Sequence, residues 1–450
     1  MAATRRTKRP SEVRIRAYNV GFGDCFLLTF RYPVGDRHLL MDFGSTALPR
    51  RSGPGSMVRV AEQIRTDTGG KLHVVVATHR HADHISGFAG TAGDVIASLE
   101  PELVVQPWTE HPDLATDATA PSSPRRAARS RGRSGGKGLA ATAAVSRLAD
   151  MHELADYVRE QGVRMAAVAG VPKRLSAQLA FLGEENLLNR PAVEALQSLG
   201  RKQVYASFGA RLPIASLLPG VKVDVLGPPT VQQAAGIRRA ARTDPDEFWH
   251  LAASTARARR GGGGGRLFPD APVARQVPQE ARWLIPQIDR MHAEELLSLV
   301  RILDDALNNT SLILLFDVAG TRLLFPGDAQ VESWRYALRD APEADEIRAR
   351  LATAVLYKVG HHGSLNATPR KLLWDAFQEA RTDPGAKPLV TLLSTLAGKH
   401  GSETRGTEVP RDTLVEALRD GSELHTTEEG TTSAQFWRDL VFPLGGGDSG

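Results

Sequence analysis

The chain has 450 residues, of which 42% are hydrophobic and 24% charged. That is the make-up of a globular protein with one large domain carrying insertions, or with two domains, and it excludes a disordered chain. A single cysteine, Cys25, excludes a disulfide framework and a cysteine-rich zinc site. The net charge of +5 and pI of about 9.4 give a mild basic bias, compatible with a polyanionic partner. No apolar run reaches the roughly 18 residues of a membrane span, so no membrane association is predicted. Met1–Pro10 is basic and no apolar segment follows it, so it does not read as a signal peptide, and a cytoplasmic location is expected.

Residues 1–12 are predicted to be a disordered basic terminus. Val13–Tyr18 alternates and reads as a strand. The glycine-punctuated turn Asn19–Cys25 leads to a second strand, Phe26–Phe30. Arg37–Met41 is a third, ending in Asp42-Phe43-Gly44. Asp24 and Asp42 read as a turn cap and as a hydrogen-bonding support for the next loop. Met57–Thr66 has helical spacing. Leu72–Ala77 is an apolar, β-branched run that reads as a buried strand.

That strand delivers Thr78-His79-Arg80-His81-Ala82-Asp83-His84. His79 and His81, two apart in an extended turn, can point to one side, and Asp83 and His84 add an oxygen and a further imidazole. Imidazole with carboxylate suits Zn and also Mn or Fe. The bland alternative is a polar surface turn. With 13 histidines in the chain, a chance H-x-H-x-D-H is on the order of one in a thousand.

These residues resemble the signature of the metallo-β-lactamase-fold hydrolases. The resemblance implies that His79 and His81 hold a first metal ion and Asp83 and His84 a second. Val20-Gly21-Phe22-Gly23-Asp24 is similar to the "VGxGD" opening of the hydrolase domain of ComEC/Rec2 DNA-uptake proteins and their free-standing relatives. Further downstream, Asn308-Asn309-Thr310-Ser311-Leu312 and Leu323-Leu324-Phe325-Pro326-Gly327-Asp328 resemble the "N-x-x-S-L … LLxxGD" block. Lys358-Val359-Gly360-His361-His362-Gly363-Ser364 resembles "K-V-x-H-H-G-S". Asp328 is then expected to bridge the two ions, and one of His361 and His362 to complete the second. Neighbours on an extended segment point to opposite sides, so only one of that pair is expected to ligate, and the sequence leaves open which. The implied fold is α/β, an αββα sandwich of two mixed sheets flanked by helices, with helical and basic-loop insertions. It is expected as a single domain over 13–440, with insertions at about 112–218 and 230–300 and a disordered tail over 441–450.

After the motif, Ala92–Leu99 reads as a helix and Leu103–Trp108 as a strand. His111 follows that strand and is a candidate for the histidine that finishes the first ion in most dinuclear relatives. Residues 113–138 change character: Arg125, Arg126, Arg129, Arg131, Arg133 and Lys137 form a basic loop with no acid among them, read either as a phosphate contact or as a solvated linker. Ala140–Gln161 is amphipathic and 175–200 helical. Val221–Pro228 is a strand, and Gly261–Gly265 reads as a mobile loop within a second interruption. His152, His250 and His292 read as ordinary helix residues. Leu312–Phe316, Arg322–Phe325, Ala354–Gly360 and Leu389–Ser394 are strands. His400 lies in a loop, Pro410–Leu418 is a helix, and Ser422–Thr427 leads to Gly430.

The expected activity is metal-dependent hydrolysis by a metal-bridging hydroxide on two divalent ions, Zn²⁺ or Mn²⁺. Asp83 and His362 are the expected catalytic side chains. His361 or His362, whichever is spare, His400 or a metal-bound water could protonate the leaving group. Lys358 is a weaker candidate, because a strand lysine usually reaches solvent. Arg125, Arg126 and Ser364 are the expected substrate contacts. The expected substrate is a phosphodiester, with DNA as the nucleic-acid partner; a small ester of the phosphorylcholine or lactone type is the alternative.

Overall fold

The computed structural model describes residues 9–49, 52, 56–114, 120–121, 164, 189–234, 307–382, 385–399 and 408–444. Apart from Ala120, Pro121, Arg164 and Ala234, these belong to one compact unit assembled from segments 1–114, 189–233 and 307–450.

The first part of that unit runs β1 (Glu12–Tyr18), β2 (Cys25–Arg31), β3 (Arg37–Phe43), α1 (Ser56–Asp67), β4 (Val74–Val76), α2 (Ala82–Ile85), α3 (Gly90–Ala97), β5 (Leu103–Pro107), α4 (Arg190–Ser198) and β6 (Lys202–Ala206). The second part runs β7 (Val221–Gly227), β8 (Ile313–Val318), β9 (Thr321–Phe325), α5 (Val331–Arg335), α6 (Ala344–Ala352), β10 (Leu356–Lys358), α7 (Asp375–Glu379), β11 (Val390–Leu393), α8 (Asp412–Gly421), β12 (Glu423–Thr426) and β13 (Trp437–Pro443).

The strands form a seven-stranded sheet in the order β13-β1-β2-β3-β4-β5-β6 and a six-stranded sheet in the order β12-β11-β10-β9-β8-β7. Both are mixed. β13, β1, β2 and β3 pair antiparallel, and β3 to β6 run parallel. In the second sheet β7, β8 and β9 pair antiparallel and β9 to β12 parallel. The protein is therefore α/β with two mixed sheets flanked by helices.

The layering follows from the period-two alternation of the strands. Val13, Ile15, Phe26 and Leu28 of the first sheet share one core with Leu314, Phe316, Leu323 and Phe325 of the second. Intervening residues point outward. Leu27, Leu40 and Val75 meet Val60 and Ile64 of α1, Ile96 of α3 and Leu196 of α4. On the second sheet, Leu315, Leu324 and Tyr357 meet Ile347 and Leu351 of α6, Phe377 of α7 and Leu414 and Leu418 of α8. Each fully buried Leu, Ile, Val or Phe contributes about 1.5–3 kcal/mol, so three apolar interfaces hold the four layers together.

The structure corrects three expected boundaries. Arg190–Ser198 is a helix packed on the first sheet and Lys202–Ala206 its edge strand, so the insertion predicted over 112–218 ends before residue 190. β6 shows no clean alternation of buried and exposed positions, which is why it carries no strand signal. Residues 441–443 of the predicted tail pair with Glu12–Arg14, and Leu444 donates to the Ser11 carbonyl at 2.9 Å. Glu12 thus lies in the sheet rather than in a disordered terminus. The 113–138 loop beyond Leu114 lies, apart from Ala120 and Pro121, outside the described residues. So do His152, His250, His292 and His400. Among the described residues, no helix is long and apolar enough to cross a membrane.

Candidate metal centre

In both sheets the parallel strands end at the same edge. β4 runs into Thr78–His84, β9 into Pro326-Gly327-Asp328, β10 into His361-His362, and β11 into Ser394. Carboxyl ends of parallel strands are where α/β folds collect ligand-binding groups. Three contacts tie the edges together. Leu312 N donates to the Thr78 carbonyl at 2.9 Å, Ser394 Oγ donates to the Gly23 carbonyl at 2.5 Å, and His362 Nε2 meets Asp83 Oδ2 at 2.9 Å.

Glycines let the turn 20–24 lie directly on the metal-motif loop. A Cβ at Gly23 would stand 2.3 Å from the Gly44 carbonyl oxygen and 2.7 Å from that of Asp83. One at Gly44 would stand 2.5 Å from the Ala82 carbonyl oxygen. Neither site has room for a side chain. The turn places the Phe22 ring 4.2 Å from the His362 imidazole and the Asp24 backbone N–H 2.9 Å from the Asp83 carbonyl.

Asp83, His84, Asp328 and His362 offer four ligand atoms, all within 4.8 Å of one another. His84 Nε2 faces Asp328 Oδ2 at 3.1 Å and Asp83 Oδ2 at 3.9 Å, and His362 Nε2 lies 3.9 Å from Asp328 Oδ2. His84 Nε2 and Asp328 Oδ2 are buried with no hydrogen bond of proper geometry. Two buried lone-pair groups turned on each other in this way fit a cation between them. Beside them His79 Nε2 approaches His81 Nδ1 at 3.0 Å, both rings buried.

Asp42 orients His84. Its backbone is left-handed (φ 55), and its carboxylate accepts from Thr78 N at 2.7 Å, from Thr78 Oγ1 at 2.8 Å and from His84 Nδ1 at 2.8 Å. With Nδ1 committed to Asp42, His84 presents Nε2 to the cluster. This is the support role that the sequence suggested. Asp24, Asp42 and His84 also lie within ligand distance of each other, but through that committed nitrogen.

His361 and His362 are not extended, as the sequence reading assumed. Both are left-handed (φ 44 and 49), followed by Gly363 at φ 89. Three of the five non-glycine residues at positive φ among the described residues are thus at this site, where backbone strain concentrates when the fold holds functional groups in place. The tight turn brings His362 into the cluster, with Nδ1 donating to the Ser394 carbonyl at 2.9 Å. His361 stands outside it, its backbone N–H donating to Asp328 Oδ1 at 3.1 Å and its Nδ1 buried without a partner. Of the ligands named from sequence, the cluster therefore takes Asp83, His84, Asp328 and His362. His79 and His81 lie alongside, and His361 is excluded.

His111 is not among the clustered ligands. Its ring packs 4.6 Å from Tyr205, and its Nδ1 accepts the Asp113 N–H. The end of β5 is instead tied to the motif by Glu110, which grips Arg80 with both oxygens, Arg80 Nε lying at 2.9 and 3.0 Å. Ser364 Oγ bonds Asn366. Arg125 and Arg126 lie outside the described residues.

The electrostatics divide the histidines into two groups. Burial and neighbouring imidazoles hold His79 and His81 below the ordinary histidine range, which favours their neutral forms. Burial acts the same way on His84 and His362. There it is overcome, for His84 by Asp328, Asp83 and Asp42, and for His362 by its hydrogen bond to Asp83 and by Asp328 and Asp24. The carboxyls of Asp83 and Asp328 are held below their usual range, since His84 and its cationic neighbours outweigh the cost of burial. Such a site favours positive charge, and a divalent ion would take the place of the protons.

Lys358, whose ion-pair partner is the buried Asp24 rather than an Asp24 that caps a turn, does not reach solvent, as the sequence suggested it would. It is 1% exposed, and its ammonium pairs with Asp24, lies 3.6 Å from Asp328 Oδ1, and faces the Phe26 ring at 5.9 Å. Burial lowers its pKa, but Asp24 and Asp328 more than reverse this, and it is raised above the ordinary lysine value. The signal was available. With Leu356 facing the core between the sheets, alternation puts Lys358 on the same face, two residues nearer the strand end.

No protein-family model matches the chain, and comparison with curated proteins returns no match.

Proposed function

We propose that the protein is a metal-dependent hydrolase of metallo-β-lactamase fold, related to the ComEC/Rec2-type hydrolase domain, and that it cleaves phosphodiesters, DNA first among them. The observation that carries the reading is the convergence of Asp83, His84, Asp328 and His362 within 4.8 Å at the shared edge of two mixed sheets, with His79 and His81 beside them. The four-layer arrangement and the position of each motif at a strand end support the same reading.

Two divalent ions, Zn²⁺ or Mn²⁺, would activate water and polarise the ester at neutral pH. His79 and His81 would hold one and Asp83, His84 and His362 the other, with Asp328 between them. Asp83 is the more exposed carboxylate of the cluster, its side chain 13% accessible, and we assign to it the orientation of the attacking water. His362 is buried with both ring nitrogens engaged, so we assign leaving-group protonation to His361 rather than to His362. No side-chain nucleophile is required, and Cys25 is buried in β2.

The test is cleavage of single-stranded DNA, double-stranded DNA and RNA with Mn²⁺ or Zn²⁺, comparing wild type with Asp328→Ala. Metal-dependent cleavage lost in the variant is the expected result. Metal-loaded protein that leaves every polymer intact would overturn the nuclease reading in favour of a small-ester hydrolase on the same core, and a panel of phosphodiesters and lactones would then identify the substrate.

A further inference from the structure

Four carboxylates lie together at the centre: Asp24, Asp42 and Asp328, all buried, and the partly buried Asp83. Asp42 accepts three donors, Asp83 and Asp328 face His84, and Asp24 pairs with Lys358. Asp24 Oδ2 also lies 3.6 Å from His84 Nδ1, and Asp24 Oδ1 lies 3.9 Å from His362 Nδ1. The Lys358–Asp24 pair therefore sits directly behind three of the four clustered ligands, touching Asp328 from the lysine side and both imidazoles from the aspartate side. A buried pair on an otherwise apolar strand gives little net stability, because desolvation offsets its attraction. Leu or Met at position 358 would fill the core between the sheets, as Leu356 does.

The charge balance indicates what the ammonium does. With neutral imidazoles, four carboxylates and one ammonium leave an excess of three negative charges. One divalent ion leaves the centre anionic, and two leave it, before any hydroxide forms, with a single positive charge. Without Lys358, two ions would only neutralise it. We infer that Lys358 is a permanent cation built into the metal centre, which weakens uptake of the second ion and in return leaves the loaded centre positive, so that it selects an anionic ligand such as a phosphodiester. The inference rests on the metal-dependent reading above. Lys358 acts through Asp24, Asp328 and the bound ions and does not itself contact substrate.

The pair permits a test in which charge and packing separate. Lys358→Met adds one negative charge to the centre, Asp24→Asn removes one, and the double variant restores the wild-type charge without the pair. Metal affinity is measured by competition with a chromophoric chelator, and affinity of the metal-loaded protein for inorganic phosphate by calorimetry. Metal affinity should rank Lys358→Met above wild type and Asp24→Asn below it, with the double variant near wild type. Phosphate affinity should rank in the opposite order. Each step should be about tenfold or more, as expected for one unit charge a few ångströms away in a partly desolvated site. A structural role would instead weaken both affinities in every variant. If Lys358→Met does not fold, Asp24→Asn still gives the opposed shifts, with the double variant near wild type. Parallel losses in those two overturn the inference. Wild-type protein that takes up no divalent ion overturns the metal-dependent reading itself, which is a distinct result.

Discussion

The first sheet carries buried histidines at both ends of its parallel strands, and the two sets behave oppositely. At the carboxyl ends of β3 and β4, His79, His81 and His84 meet Asp42, Asp83 and Asp328. At the amino ends of the same strands, His38 and His73 pack with ring centroids 6.0 Å apart. His38 Nδ1 bonds Thr29 Oγ1 at 3.2 Å, and the His38 backbone N–H donates to His73 Nδ1 at 3.1 Å. That donation requires an unprotonated nitrogen. Burial holds both rings down to about 4, with Arg14 adding to the effect on His38 and Arg37 and Lys71 to that on His73. Burial alone therefore makes a histidine a neutral structural group. Where the backbone also brings carboxylates against the ring, as Asp328, Asp83 and Asp42 stand against His84, the effect of burial is reversed.

The sharpest way to break this contrast is Asp328→Ala. Removing the carboxylate that faces His84 should abolish retained metal and reduce activity by more than the roughly 10–100-fold typical of losing an outer support. Metal content after dialysis, read by elemental analysis, checks it; a variant retaining its full complement would show that Asp328 is not a ligand. Asp42→Ala should be milder. It frees His84 Nδ1 and costs about 10–100-fold in metal affinity, measurable by chelator competition.

Acid stability addresses the other end. His38 and His73 have folded pKa values near 4, below the unfolded value of 6.5. Their contribution is complete above pH 6.5 and is lost as pH falls through 4, because the unfolded chain binds the protons first. Urea unfolding of the metal-free protein should lose about 1–3 kcal/mol per histidine between pH 6.5 and 4.5. The same series on His73→Gln should be flatter, and equal slopes would exclude His73 as a source. The smallest effect is expected from His73→Gln on metal content, which should not change. A loss of metal there would mean that the two ends of the sheet are coupled.

Much of this was legible in the sequence because it depends on local order. The runs at 13–18, 26–30, 72–77 and 312–316 alternate or are continuously apolar, and each is followed by its turn residues. Asp83, His84 and Asp328 lie within eight residues of a strand's carboxyl end, so the strand assignments already point to that edge. Asp42 was read as a support from its position beside the motif. What escaped depends on pairing across the chain. Trp437–Pro443 has one buried residue and little pattern, and it is a strand because β1 offers it an antiparallel edge. β6 exists for the same reason beside β5.

The sequence by itself determined which residue types stand at strand ends, since hydrophobic periodicity and turn chemistry act over a few neighbours. It could not determine which side chains share a nitrogen or an oxygen. Only the tertiary structure selected His362 over His361, through two successive left-handed residues held by contacts with Asp328 and Ser394. Only the tertiary structure set His111 against Tyr205 and buried the Lys358 ammonium against Asp24. Those outcomes turn on distances of a few ångströms between residues up to 334 positions apart. At that scale Coulomb energy and desolvation decide the result, and chain order does not.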